Sequence, residues 1–178
     1  MSRAFVVGAG RCGTSTFFHA ATTLIGWTAG HETKAGRVAL PDYPDNHVEV
    51  DHELVWAIPA IRDRYPRALW VHLVRDREPC VESLLRENWH RMEAWCFSTF
   101  QTRFPWDVCK APALYYDLTT RLIEALCPDA MLIRIETLRE QWPTFCARLG
   151  AEWDRVAAEE IFPRRYNPGG NRGRDYYL

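Results

Sequence analysis

The strongest constraint on the fold is a glycine cluster that follows a short apolar run near the amino terminus. Residues 4–7 are Ala-Phe-Val-Val, and residues 8–13 are Gly-Ala-Gly-Arg-Cys-Gly, after which a helical pattern begins. This order is typical of a buried strand, a tight loop and a helix start. Glycine lets the backbone turn sharply and approach a neighbour closely, and the N–H groups at a helix start attract anions. The segment therefore predicts either an anion-binding loop or a turn that only packs a helix onto a sheet.

Two further apolar runs, at 69–74 and 131–135, are also predicted to be buried strands. Segments with helical spacing cover about 14–25, 52–64, 78–95, 110–126 and 137–149. Strands that alternate with helices predict an α/β fold with a parallel sheet flanked by helices. We expect one compact domain over residues 1–178, in which 163–178 form a flexible or cofactor-covering tail. Residues 26–51 show no clear periodicity.

Composition excludes several classes of protein. The 178 residues carry 22 Lys+Arg and 23 Asp+Glu, a formal net charge of −1, which argues against a dedicated nucleic-acid binder. The six cysteines form no C-x-x-C pair, so reduced and mostly buried thiols are expected. The amino terminus has too short an apolar run for a signal peptide or a membrane span, so we expect a cytoplasmic protein. Trp56, Trp70 and Trp142 lie at apolar positions of predicted elements and are expected in the core.

Three kinds of anion site compete for the glycine cluster. Gly8 and Gly13 have the spacing of a nucleoside-triphosphate loop, but Thr14 stands where a lysine should reach the β- and γ-phosphates. The pattern Gly8-x-Gly10-x-x-Gly13 also fits a dinucleotide fingerprint, with Glu32 about 20 residues on. Glu32 does not, however, follow an obvious second strand. In the third interpretation, residues 11–15 are the anion-binding motif.

Residues 11–15, Arg-Cys-Gly-Thr-Ser, resemble the R-S-G-T-T or K-S-G-T-T loop of sulfotransferases that use 3′-phosphoadenosine 5′-phosphosulfate (PAPS). This resemblance implies a P-loop-NTPase-like sheet and a loop that holds the 5′-phosphosulfate through Arg11, Cys12, Gly13, Thr14, Ser15 and Thr16. Cys12 then replaces the serine of the family. As a nucleophile, Cys12 would benefit from the helix start, but a cysteine phosphatase needs an arginine at the position of Phe18.

A second motif lies where the predicted strand 69–74 ends. Arg75 is followed eight residues later by Ser83, the spacing at which sulfotransferases bind the 3′-phosphate, and the Arg-Asp-x-x-Pro opening also matches. An arginine fork and a helix hydroxyl suit a phosphate. Alternatively, Arg75 and Asp76 only cap the next helix. Residues 133–138 resemble the family's R-Y-E-D-L segment, with Ile135 in place of tyrosine. Arg172 is a late candidate for the same phosphate, unless the tail is simply solvated.

The resemblance also implies an acid–base group and a cation. Arg11 is expected to supply positive charge to the transferring group. Residues 30–34, Gly-His-Glu-Thr-Lys, resemble the G-E-E-T-R of tyrosylprotein sulfotransferases, whose second glutamate is the base, 21 residues after the loop arginine. Glu32 has that separation from Arg11. His31 is the rival because its ordinary pKa suits neutral pH, and a residue of the 47–52 cluster is a further candidate.

His47, Glu49 and Asp51 would share one face of an extended chain, which suggests a metal site. The favoured chemistry needs no metal, so none is expected. The resemblance thus implies a sulfotransferase that moves a sulfuryl group from PAPS, releasing 3′-phosphoadenosine 5′-phosphate (PAP), onto a hydroxyl or amine of a small-molecule, carbohydrate or peptide acceptor. The alternatives are a small P-loop nucleotide kinase and a non-catalytic PAPS- or PAP-binding protein. The aromatic stretch 89–106 is a candidate acceptor wall.

Overall fold

The computed structural model describes residues 2–33, 42–86, 111–164 and 166. Within these ranges the chain forms a five-stranded parallel sheet in the order β2-β3-β1-β4-β5. The strands are β1 (Arg3–Val7), β2 (Thr28–His31), β3 (His47–Val50), β4 (Leu69–Val74) and β5 (Met131–Arg134). The predicted α/β fold with a parallel sheet flanked by helices is therefore confirmed.

The helices cover both faces of this sheet. They are α1 (Thr14–Ala21), α2 (Ile58–Arg64), α3 (Arg77–Arg86), α4 (Ala111–Leu126), α5 (Leu138–Leu149) and α6 (Arg155–Ile161). Short 3₁₀ turns, Glu53–Ala57 and Ile135–Thr137, precede α2 and α5.

The alternating side chains of β1 divide the core into two layers. Ala4 and Val6 lie in one layer and Phe5 and Val7 in the other, and all four are almost completely buried. A strand that is buried on both faces reads as a continuous apolar run. This is why the sequence pattern was sufficient to locate β1 and β4.

The two strands in 26–51 lack that signal, and neither was predicted from the sequence. Each is four residues long, and β3 is buried throughout although it alternates His47 and Glu49 with Val48 and Val50. Because polar residues interrupt β3, it lacks the continuous apolar run from which buried strands are predicted.

Helix boundaries differ from the prediction for local reasons. The first helix ends at Ala21 rather than 25, where the hydroxyls of Thr22 and Thr23 donate to the carbonyls of His19 and Ala20. The predicted helix 52–64 is a 3₁₀ turn followed by α2. Helix α6 was not predicted, although Asp154 is a typical N-cap whose carboxylate accepts from the Ala157 N–H.

Side chains expected in the core mostly lie there. Trp70 and Trp142 are buried, but Trp56 is about half exposed on the 3₁₀ turn, so its expected burial is wrong. Cys12, Cys80, Cys127 and Cys146 are free and buried, as expected, while Cys96 and Cys109 lie outside the described residues. None of the helices in the described ranges is both long enough and apolar enough to cross a lipid bilayer.

Among the described residues, Trp142 has the largest fully buried side chain, and it contacts Phe17, Phe145 and Phe162. Trp142→Ala should lower the free energy of unfolding by about 3–5 kcal/mol, because it removes aromatic contacts and leaves a cavity. Urea denaturation measures this loss. Leu132→Ala, at an exposed position, is the control and should cost less than about 1 kcal/mol. Equal losses in the two variants would contradict the assignment of Trp142 to the core.

Candidate functional site

The glycine cluster occupies the carboxyl end of the central strand. Strand β1 lies between β3 and β4, so residues 8–13 emerge where the strand order reverses. Ligands of open parallel sheets bind at this position. Helix α1 starts directly after the loop, and its N-cap, Gly13, has a left-handed backbone with φ 103°. The loop thus lies at a helix N-terminus, where partial positive charge favours an anion.

Two glycines let the loop pack tightly against β4 and against the 3₁₀ turn that follows β5. A Cβ atom on Gly8 would overlap the carbonyl oxygen of Leu73 in β4, and one on Gly13 would overlap the side chain of Ile135. Ile135 is the residue that stands in place of the family's tyrosine. In this chain it packs beneath the start of α1. Both glycines are therefore required by close approach.

The structure brings Arg11, Arg75 and Ser83 together. Arg11 Nε donates to Ser83 Oγ at 3.1 Å, and Arg75 Nη1 donates to the Arg11 carbonyl oxygen at 3.2 Å. Arg11 also has a left-handed backbone, with φ 69°. Both cations and the hydroxyl therefore lie at one edge of the sheet. All three were assigned to phosphate or sulfate groups from the sequence.

Two adjacent tyrosines of α4 hold this arrangement, and neither was singled out from the sequence. The Tyr115 hydroxyl accepts the Gly10 N–H at 3.0 Å, and the Tyr116 hydroxyl donates to the Arg75 carbonyl oxygen at 2.7 Å. Burial raises the pKa of Tyr115, so this hydroxyl stays neutral. No motif marks these tyrosines, because their partners lie 105 and 41 residues away in the chain.

The Cys12 thiol is buried beneath the loop. The side chain is fully buried, and a Cβ on Gly8 would meet its sulfur. Burial, followed by the proximity of Cys80, raises the pKa of Cys12 well above its ordinary value. A helix start was expected to lower that pKa, and burial outweighs it. The thiol is therefore protonated, which removes the nucleophile interpretation, and any contact of Cys12 with a ligand would use its main chain.

The three hydroxyl residues after Gly13 form the first turn of α1. Thr14 is buried, while Ser15 and Thr16 are partly exposed. Thr14 occupies the position where a nucleoside-triphosphate loop has its lysine.

Glu32 follows β2 directly, which corrects the statement that no strand precedes it. Strand β2 is separated from β1 by β3, so Glu32 is not beside the loop in the way a dinucleotide fingerprint requires. Its backbone is left-handed, with φ 53°. Glu32 Oε1 lies 3.0 Å from His52 Nδ1 and 3.8 Å from His31 Nε2. The carboxylate therefore belongs to a cluster with two imidazoles.

The two imidazoles differ in electrostatics. Burial lowers the pKa of His31, only partly opposed by Glu32. Burial also lowers the pKa of His52, but the hydrogen bond to Glu32 and the charges of Glu32, Asp51 and Glu53 outweigh it, so the net pKa of His52 is raised. His52 is also next to the loop, because its Cδ2 atom would lie 3.7 Å from a Cβ on Gly10.

A buried polar network fixes the turn that carries Glu32. Glu49 is fully buried, its Oε2 lies 3.0 Å from His47 Nε2, and its Oε1 accepts the Thr33 N–H and hydroxyl at 3.1 and 2.9 Å. Gly30 makes room, since a Cβ there would overlap Glu49. These contacts hold His47 and Glu49 inside the protein, where they join β2 to β3.

Asp51 is the remaining acidic side chain of this region. It is fully buried, and its Oδ1 accepts the Glu53 N–H at 2.7 Å. Its Oδ2 has no hydrogen-bond partner among the described residues. Burial raises the pKa of Asp51 to about 6. Among residues 2–33, 42–86, 111–164 and 166, no group of three or more His, Cys, Asp or Glu side chains is placed to hold a metal ion.

Some predicted site residues lie outside the described ranges. These are Arg172, most of the 163–178 tail and the aromatic stretch 89–106. Their assignments stay predictions.

Gly13→Ala should destabilise the protein more than Gly26→Ala, although both glycines have positive φ. A Cβ atom on Gly26 would meet no other atom within 4 Å, so Gly26→Ala measures backbone strain alone, about 1 kcal/mol. Gly13→Ala adds the overlap with Ile135 and should cost at least about 1 kcal/mol more. Urea denaturation measures both losses. The additional loss of stability caused by Gly13→Ala should be smaller when it is measured in a protein that also carries Ile135→Ala. An unchanged additional loss would contradict the overlap with Ile135.

Asp51→Asn should stabilise the protein at neutral pH and not in acid. The pKa of folded Asp51, about 6, exceeds the ordinary 3.8. The folded state therefore binds the proton more tightly, and the wild type loses stability as pH rises from about 4 to 6. A neutral asparagine avoids this loss of about 2–3 kcal/mol. Urea denaturation at pH 4 and pH 7.5 measures the difference, with exposed Asp63→Asn as the control. A difference between Asp51→Asn and wild type that is the same at both pH values would contradict the burial effect.

Neither a scan against protein-family models nor a search of curated proteins finds a match to the chain.

Proposed function

We propose that the protein is a PAPS-dependent sulfotransferase that transfers a sulfuryl group to an acceptor hydroxyl or amine by in-line displacement. One observation carries the proposal. Arg75 and Ser83, which were assigned to a 3′-phosphate from their spacing, both contact Arg11 of the glycine loop, 64 and 72 residues away in the chain. If Arg75 only capped the helix after β4, there would be no reason for Arg75 and Ser83 to contact the same residue of the loop.

The donors around the loop fit the anionic groups of PAPS. Two guanidinium groups, Arg11 and Arg75, and the Ser83 hydroxyl meet beside the start of α1, which adds its dipole and the Thr14–Thr16 hydroxyls. Arginine forks match phosphate and sulfate oxygens, and charge-assisted hydrogen bonds are the stronger kind. PAPS would supply a sulfuryl group on a good leaving phosphate.

Each residue then has a defined task. Arg75 binds the 3′-phosphate together with Ser83, and the turn at Gly13 aims the helix start at the 5′-phosphosulfate. Arg11 stabilises the negative charge that develops on the bridging oxygen as the sulfuryl group leaves. Tyr115 and Tyr116 keep the loop and the end of β4 in register, because each hydroxyl bonds main-chain atoms there. Removal of the acceptor proton needs a base on the same side of the sheet, where Glu32, His31 and His52 lie.

A small nucleotide kinase is the second candidate, and one observation favours it. Asp51 follows β3, which is next to β1, and has an unpartnered oxygen among the described residues. P-loop enzymes hold Mg²⁺ with an aspartate and a loop hydroxyl, which Ser15 offers. The missing lysine at Thr14 opposes this function. The third candidate is a protein that binds PAPS or PAP without catalysis. It would have the same cofactor site as a sulfotransferase but would not convert PAPS to PAP.

Calorimetry with PAP, AMP and ATP separates these functions. PAP should bind at least about 10-fold more tightly than AMP, because only PAP carries the 3′-phosphate that Arg75 and Ser83 address. Arg75→Ala should weaken PAP binding by about 10- to 100-fold and leave AMP binding unchanged. Arg62→Ala is the matched control, since Arg62 pairs with Asp129 away from the loop. A preference for ATP that depends on Mg²⁺ would replace the sulfotransferase proposal with the kinase.

A further inference from the structure

The acid–base cluster beside the loop contains His52, a member of the 47–52 cluster from which the sequence singled out no one residue as the base. Glu32 was the expected base because it lies 21 residues after Arg11. In the structure its Oε1 atom is 3.0 Å from His52 Nδ1. The imidazole, in turn, has its Cδ2 edge toward Gly10 of the loop. His52 therefore lies between the glutamate and the loop.

We propose that His52 takes the proton from the acceptor and that Glu32 is the positioning residue that holds its ring. This inference rests on the proposed sulfuryl transfer. Glu32 accepts the hydrogen bond from Nδ1–H, which fixes the tautomer and leaves the Nε2 lone pair as the proton acceptor. Nε2 is bonded to Cδ2, the ring atom that would lie 3.7 Å from a Cβ on Gly10, so the proposal requires the acceptor to approach on this side of the ring.

The step balances without any further reactant. The acceptor oxygen forms a bond to the sulfur while its proton moves to His52 Nε2. The bond between the sulfur and the bridging phosphate oxygen breaks, and its electron pair leaves with PAP. His52 then releases the proton to solvent, and Arg11 faces the charge on the departing phosphate. No oxidant, reductant or metal is consumed.

The surroundings of Glu32 explain why it positions rather than reacts. Its turn is fixed by the bonds of Thr33 to the buried Glu49, and its carboxylate already contacts two imidazoles. A carboxylate that serves a histidine in this way orients the ring and stabilises the imidazolium. His52 follows β3, the strand beside β1, whereas Glu32 follows the strand one place further out.

The charges around His52 define a pH signature. It is faced by Glu32 and His31 at the end of β2 and by Asp51 and Glu53 of its own segment. Burial lowers the pKa of His52, but the three carboxylates outweigh it and raise the net value above 6.5. The rate should therefore rise as His52 loses its proton, with a midpoint above pH 6.5. Glu32→Gln removes one carboxylate and should move this midpoint to lower pH.

The test measures PAP release from PAPS with water and with a panel of phenols and amines as acceptors, alongside PAP binding by calorimetry. His52→Asn keeps a donor for Glu32 but has no Nε2, so its kcat should fall by about 10²- to 10⁴-fold while PAP affinity stays within about 3-fold of wild type. Glu32→Gln should lose less, about 10-fold, and show the shifted profile. His19→Asn is the control for replacing a histidine outside the cluster.

The outcomes separate the inference from the function on which it rests. The assignment of His52 would be overturned if His52→Asn turned over at the wild-type rate while Glu32→Gln or His31→Asn lost turnover. If the wild type bound PAP but did not release PAP from PAPS, the assignment of His52 as the base would also be overturned, but the proposed cofactor site would not. Failure of the wild type to bind PAP would overturn the proposed function itself.

Discussion

Close packing of the glycine loop against β4 and the 3₁₀ turn after β5 is the constraint on which the candidate site depends. Gly8 lies against the Leu73 carbonyl and Gly13 against Ile135, at separations that leave no room for a Cβ atom. If the loop moved outward, Arg75 at the end of β4 would lose the Arg11 carbonyl oxygen, and Arg11 would lose Ser83. Core packing thus sets the positions of the cations.

Two buried carboxylates, Glu49 within β3 and Asp51 directly after it, have different numbers of hydrogen-bond partners. Glu49 is stabilised by a hydrogen bond with His47 and by two donors from Thr33, so it can remain inside the core. Asp51 has one main-chain donor and an unpartnered oxygen among the described residues, and burial raises its pKa. The first carboxylate supports the fold, whereas the second costs stability at neutral pH, which is typical of functional sites.

Sequence alone predicts those features that local chemistry determines. Buried apolar runs located β1 and β4, and the glycine spacing located the loop between β1 and α1. Arg75 and Ser83 lie where β4 ends and α3 begins, as the predicted strand and helix indicated, but their spacing did not reveal their contacts with Arg11. Strand β3 escaped prediction because its histidine and glutamate are buried, and that burial depends on distant parts of the chain, such as Thr33, that pack around them. Tyr115 and Tyr116 escaped because their partners are distant in the chain, and no local pattern encodes such a pair.

The spacing that selected Glu32 counts residues along the chain and not the distance to the loop. A separation of 21 residues from Arg11 counts the chain through α1 and β2, but the sheet order decides which residue reaches the loop. Strand β3 pairs with β1 in register, and the Asp51 N–H donates to the Val6 carbonyl at 3.0 Å. Because neighbouring strands are about 4.8 Å apart, a residue after β3 is one strand nearer to the loop than Glu32. The sheet order therefore places His52, which is 20 residues after Glu32 and 3.0 Å from its carboxylate, nearer to the loop than the glutamate with the expected spacing.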